Sequence, residues 1–398
     1  MRALLFLVFV LYLGVHKNFS QNSNRVVTTG VPFLMITADA RAAGMGELGV
    51  ATSADNYSQY WNPAKYVFAS NDKGIGLSYT PYLSKLVDDI FLGNILFFKK
   101  IDDRSSWATG LRYFSLGEIQ FNEFIAGSIV DQGIQRPSEL TLDLSYALKL
   151  SSKFSMSVAG RFIYSDLKVA VDADTSSASS LGIDISAFYQ SEIFKLKSNS
   201  ALIRTGINIS NIGPRLNYES GAQKSFIPTN LRLGAGLDIL FDDDNKLGFY
   251  TEFSKLLVPT PTAVFDSEQN LLGYKQPDID FITGIFKSFT DAPGGLTEEL
   301  NEITAAIGLE YCFQDSLLIR TGFFNESQNK GSRRYLTMGA GFNLNLFEID
   351  LSYLFSTSRV RNPLENTIRF SLSINLDQSY SQTSGENISN GNIGDKLE

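Results

Sequence analysis

The sequence predicts an all-β protein: an antiparallel transmembrane β-barrel of about fourteen strands with a small N-terminal plug. Three observations carry that expectation. From about residue 73 onward, polar and apolar residues alternate with period two, segment after segment. The links between segments alternate between short and long. Aromatic residues make up 12% of the chain, with 30 Phe and 17 Tyr, yet mean hydropathy is −0.03. That pairing suits strands facing lipid on one side and water on the other.

The first segment stands apart. Arg2 precedes the apolar run "ALLFLVFVLYLGV", which is too short to span as a helix and gives way to polar "HKNFSQNSN". This order predicts a cleaved secretory signal peptide over residues 1–21. Its removal takes away His16, the one histidine of the chain. The mature protein then has no imidazole for a triad, a general base or a metal. Cys312, the one cysteine, cannot form an intramolecular disulfide, and its apolar neighbours "AIGLEYCFQ" predict a buried packing thiol. A net charge of −8 without a Lys/Arg cluster argues against nucleic acid. No enzyme, cofactor or metal site is expected.

Residues 22–72 are Ala/Gly-rich and irregular, and are expected to sit inside or beneath a barrel as a plug. They contain "GMGELG", with Gly44, Gly46 and Gly49 at the spacing of a dinucleotide fingerprint. That fingerprint needs a strand before it, a helix after it and a closing βαβ unit. Upstream stands "FLMITADARAA", downstream "VATSADNYSQYWNPAKY", and Pro63 soon interrupts any helix. The glycines are therefore expected to serve tight turns and close packing in the periplasmic mouth. In "WNPAKY", Asn62 before Pro63 initiates a turn, with Trp61 and Tyr66 flanking it.

The strands of the barrel, spanning 73–377, begin near Gly74, Asp89, Ser106, Ser138, Phe154, Ser180, Ala201, Thr229, Leu247, Ile303, Leu317, Arg334, Glu348 and Asn366. In "ELTLDLSYALKL" every leucine shares one face while Thr141, Asp143, Ser145 and Lys149 occupy the other. "TNLRLGAGLDILF" and the final strand, from Ile368 to Leu376, repeat the pattern. Links such as "KLSSK" and "FDDDNK" are short; stretches around 119–137, 168–179, 212–228 and 257–302 are long. Short periplasmic turns and long exterior loops form the asymmetry of outer-membrane barrels, and an even strand number puts both termini on the short-turn side. "FDDDN" is too short to supply a calcium shell and reads as a solvated turn. The polar tail 378–398 is expected to be disordered and periplasmic.

The long exterior loop 257–302 carries the candidate contact residues. Leu256, Leu257 and Val258 open an apolar stretch stiffened by Pro259 and Pro261. Ile279, Ile282, Phe286 and Phe289 then recur at helical spacing. Such a stripe must bury itself, either back over the barrel mouth or against a partner.

The barrel pattern together with "WNPAKY" resembles the long-chain fatty acid transporter (FadL) group. "DARAAGMGELGVATSADNYSQYWNPAKY" and "GIFKSFTDAPGGLTEELNEI" resemble more closely the PorV (LptO) family of the type IX secretion system of Bacteroidota. The resemblance implies an outer-membrane, lipid-embedded barrel that is not itself the export channel. It implies association with the giant translocon barrel SprA (Sov), receipt of cargo bearing the type IX C-terminal signal domain, and delivery to the attachment complex containing the PorU sortase. Two rival expectations remain: transport of hydrophobic small molecules, which needs a continuous apolar lumen, and lipid deacylation, which normally needs a Ser–His or comparable pair, where the mature chain has no histidine.

Overall fold

A computed structural model describes residues 25–376 apart from 85–86, 88, 126–127, 168–176, 219–222, 269, 359–364 and 366. The expected signal peptide and polar tail lie outside the described residues.

Fourteen strands close into an antiparallel barrel. They are β1 (Lys73–Pro81), β2 (Ile90–Lys100), β3 (Ser105–Leu116), β4 (Ser138–Lys149), β5 (Phe154–Asp166), β6 (Ala178–Gln190) and β7 (Asn199–Ile212). The second half comprises β8 (Asn230–Leu240), β9 (Asn245–Leu256), β10 (Ile303–Phe313), β11 (Leu317–Asn325), β12 (Arg334–Leu344), β13 (Phe347–Ser356) and β14 (Ile368–Asn375). Each pairs with its neighbours in sequence, and β1 closes on β14 from Gly74↔Asn375 to Tyr79↔Phe370. Closure leaves no unpaired edge among these strands, which a hydrocarbon environment requires. A three-residue strand, Phe194–Leu196, pairs with β7 alone in the link before it.

The expected strand starts hold to within two residues, because a two-sided wall enforces the alternation. On β5, Met156, Val158, Phe162 and Tyr164 face outward, while Ser155, Ser157, Arg161 and Ser165 are buried toward the lumen. No helix among the described residues is long and apolar enough to cross a membrane; the strands do so. Cys312, expected to be buried, is half-buried near the short-turn end of β10, its sulfur 3.6 Å from Asp315 Oδ1. The apolar neighbours adjacent in sequence point to the opposite face.

Two long links carry structure of their own. Ile119–Ile125 and Ser128–Gln135 form a two-stranded ribbon beyond β3 and β4. The 257–302 loop holds a hairpin, Thr262–Phe265 with Leu271–Lys275, and two helices.

Residues 25–72 fill the lumen, and their course corrects one expectation. The described chain starts at the long-loop end, where Gly30 N donates to Phe226 O at 2.8 Å and Arg25 meets Glu298. It descends past Asn94, which donates to Ala38 O, and leaves at the short-turn end, where Lys100 Nζ donates to Ala69 O. Strand parity places only the start of β1 at the short-turn end; a segment preceding β1 is free to thread the lumen.

Candidate functional site

The plug is held by close backbone approach. Helix α1 (Ala40–Gly44) is capped by Asp39, whose Oδ1 accepts from Ala42 N at 2.8 Å. A Cβ at Gly44 would lie 3.0 Å from the Gly339 Cα of β12. Gly46 has φ +81°, a conformation that favours glycine, and abuts the backbone of Phe323 and Ile307. Opposite it, a Cβ at Gly322 of β11 would stand 2.1 Å from the Met45 carbonyl carbon. Thr337 joins both sides: its hydroxyl accepts from Gly46 N at 2.8 Å and donates to Gly44 O at 3.0 Å. These strand positions lie midway along the barrel, so the glycines pack at mid-lumen rather than in the periplasmic mouth.

Gly49 lies against the Trp61 indole, where a Cβ would come within 2.4 Å. Trp61, in helix α2 (Ser58–Trp61), donates its ring N–H to Asp39 Oδ2 at 2.8 Å. Asn62 caps the following 3₁₀ turn, which Pro63 begins, and its amide donates to Val50 O and, across the gap to β6, to Ala187 O at 2.9 Å. The backbone N–H groups of Gly49 and Val50 both donate to Glu252 Oε2, at 2.8 and 2.9 Å. A carboxylate of the barrel wall thus occupies the amides that a pyrophosphate would need.

Buried ion pairs complete the attachment. Arg41 grips Glu310 with two bonds of 2.8 and 2.9 Å and meets Asp55 at 2.8 Å. Glu310 also accepts from Arg320 at 2.6 Å, and Arg320 reaches Asp350. Glu47 accepts from Tyr335 at 2.7 Å and Arg369 at 2.8 Å. Lys65, fully buried, donates to Gly49 O at 2.8 Å. Burial, with Asp55 nearby, pushes the Asp39 carboxyl up to about 6; burial lowers Lys65 to about 8.

Between plug and wall near the long-loop end lies a cavity of about 240 Å³. Its lining includes Glu47, Glu252, Glu302, Glu326, Arg232, Lys330 and Arg333 beside Val26, Val27 and Trp61. Arg232 stacks over the Trp61 ring, and Arg333 pairs with Glu326 at 2.9 Å. The cavity thus carries charged side chains beside apolar ones.

The candidate contact residues separate into two sets. Leu257 and Val258 are 3% and 0% exposed, and Leu256 lines the cavity. They support the loop from beneath. The helical stripe is shorter than its spacing suggested: helix α3 spans Phe281–Lys287, so Ile279 and Phe289 flank it. Ile282, Phe286 and Phe289 are exposed, Phe286 at 73%. Gly284 instead faces inward, within reach of Phe226 and Pro259. Helix α4 (Leu296–Asn301) repeats the inversion, with Leu296 78% exposed and Glu299 8%. Leu296 and Leu300 were not among the expected residues. Their i, i+4 spacing opposite Glu298, Glu299 and Glu302 in "LTEELNEI" is the signal that could have found them. In "FDDDN", Asp242 Oδ1 is engaged by its own turn, accepting from Asp244 N and Asn245 N.

A family profile described as "Type IX secretion system protein PorV" matches residues 19–263. No curated protein matches the chain. Among solved structures, the Pseudomonas putida toluene transporter TodX is similar at TM-score 0.50 and 14% identity, with 85% of this chain and 98% of that chain covered. A TodX deltaS2S3 mutant, described as a monoaromatic hydrocarbon channel, is similar at TM-score 0.52 and 13% identity over 85% and 99%. At these identities the likeness is one of fold.

Proposed function

This chain belongs to the PorV family of type IX secretion system proteins, and from that premise we propose that it is a cargo carrier of the outer membrane. It receives secreted proteins through their C-terminal signal domain at the SprA (Sov) translocon and hands them to the PorU attachment complex on the cell surface. In this reading the host is a member of the Bacteroidota, residues 1–21 direct export, and the long-loop end faces outward.

One observation carries the reading: α3 and α4 present Ile282, Phe286, Leu296 and Leu300 to solvent and turn Gly284 and Glu299 inward. Exposed apolar helical faces of this kind are stabilised by a partner. The plug favours carriage over conduction, because its backbone is seated directly on β11 and β12 at mid-height. The rival reading, passage of hydrophobic molecules as the name of TodX describes, has the barrel fold in its favour. The seven acidic and basic side chains of the cavity wall weigh against it, because they break up the apolar surface that an apolar solute would contact.

The test is capture of a purified cargo signal domain by the protein in nanodiscs. Phe286→Asp with Leu296→Asp is expected to lower affinity by about tenfold or more, since buried apolar anchors dominate such interfaces. Unchanged affinity in the double variant would remove α3 and α4 from the contact, and no measurable capture by the native protein would overturn the carrier reading.

A further inference from the structure

Helix α4 is the hub of an ionic cluster that no part of the carrier reading uses. Its carboxylates are Glu298, Glu299 and Glu302 at its C-terminal boundary; its cations are Arg25, Lys255 and Lys330, each from a different part of the chain. Glu298 meets Arg25 at 3.4 Å and Lys330 at 2.8 Å. Glu302 meets Lys330 at 2.9 Å and Lys255 at 2.6 Å, and accepts from Thr260 at 2.8 Å. Glu299 meets Lys255 at 3.0 Å and accepts from Ala292 N at 2.8 Å. Lys255, Lys330 and Glu299 are each less than a tenth exposed.

The cluster joins three elements: the top of β9, the 326–333 link, and the chain leading to the plug. That last segment is pinned to the same region twice more, by Gln276 donating to Thr28 O and by Gly30 N donating to Phe226 O. Val26, Val27, Glu302 and Lys330 all line the luminal cavity. The cluster therefore lies between that cavity and the exposed Leu296 and Leu300.

We propose that α4 is a clasp: through Glu298 it holds Arg25, and with it Val26 and Val27 of the cavity lining, and a partner seated on Leu296 and Leu300 frees that end by displacing the helix, while the Gln276 and Phe226 bonds keep Thr28 and Gly30 in place. The proposal rests on the carrier reading for the identity of the partner. The physical reason is economy of motion. Three carboxylates ride on one short helix, so a shift of a few ångströms breaks contacts to Arg25, Lys330 and Lys255 together. Partly buried pairs are worth most when all are formed, and a cation left unpaired there favours leaving for water. The glycine-seated part of the plug lies deeper and is not touched by this motion.

The experiment places a reporter cysteine at Ser254 of the cavity wall, in a Cys312→Ser background, and measures its rate of labelling by a membrane-impermeant maleimide in nanodiscs. Lys330→Met and Glu298→Gln are each expected to raise the rate about tenfold, and Lys330→Arg to hold the native rate. Adding the isolated cargo signal domain to the native clasp is expected to raise the rate similarly. Equal rates for Lys330→Met, Lys330→Arg and the native residue would overturn the clasp. A response to Lys330→Met without any response to bound signal domain would overturn the coupling. If the native protein captures no cargo signal domain while Lys330→Met still labels faster, the clasp stands and the carrier reading falls. If capture depends on Phe286 and Leu296 while labelling never varies, the reverse holds.

Discussion

Replacing Gly322 with alanine is expected to unseat the plug. A methyl at that position would stand 2.1 Å from the Met45 carbonyl carbon and 2.2 Å from the Gly46 nitrogen. Ordinary contact is about 3.5–4 Å, so the plug backbone must retreat by more than about 1 Å. The retreat breaks the bonds of Thr337 to Gly46 N and Gly44 O, now 2.8 and 3.0 Å. Each is worth about 1 kcal/mol, and overpacking adds about 1–3 kcal/mol. A loss of about 3–5 kcal/mol raises the unseated population roughly 150- to 4,000-fold. Hydrogen–deuterium exchange of amides 40–50 in purified, nanodisc-embedded protein reads this directly. Gly160→Ala on β5 is the matched control, because a Cβ there meets nothing within 4 Å. If the two variants exchange alike, close backbone contact is not what holds the plug.

Arg41→Ala should weaken plug docking by about 2–3 kcal/mol, because it removes the ion pair to Asp55 and leaves Glu310 paired with Arg320 alone; the midpoint of urea-induced exposure of the plug to protease measures it. Glu252→Leu should cost about 2–5 kcal/mol, since it leaves the Gly49 and Val50 amides without an acceptor, and those two amides should show the rise in exchange first. Asp39 has a folded pKa near 6 against 3.8 for the free group, so the folded form takes up a proton between these values. Plug stability should therefore rise as pH falls through about 6 and level off near 4, and Asp39→Asn should flatten that slope in exchange measured across the range.

The wall was legible in the sequence because each strand declares itself locally: Leu140, Leu142 and Leu144 fall on one face whatever their partners are. The plug was legible as a segment without strand pattern, and "GMGELG" could be denied a nucleotide from its neighbours alone. Its anchors could not be read, since Arg41 and Glu310 are 269 positions apart and nothing in either local stretch refers to the other. The direction of the α3 stripe was hidden for a related reason. Periodicity marks Ile282 and Phe286 as one face but does not say which side water occupies, and here the inward face is set by Gly284 against Phe226 and Pro259. The threading of residues 25–31 through the lumen was also invisible, because strand parity speaks for the strands and not for what precedes them.

Where Gly44 meets Gly339 and Gly322 meets Met45 and Gly46, main chain touches main chain with no side chain between. Most joints in proteins contain rotamers, and rotamers give way by degrees, so such joints loosen gradually under load or mutation. A joint made of two backbones has no such compliance. It behaves as a key in a slot: fully home, or withdrawn. At these two contacts the plug is either home or withdrawn, and whatever separates them has to supply the whole displacement at once.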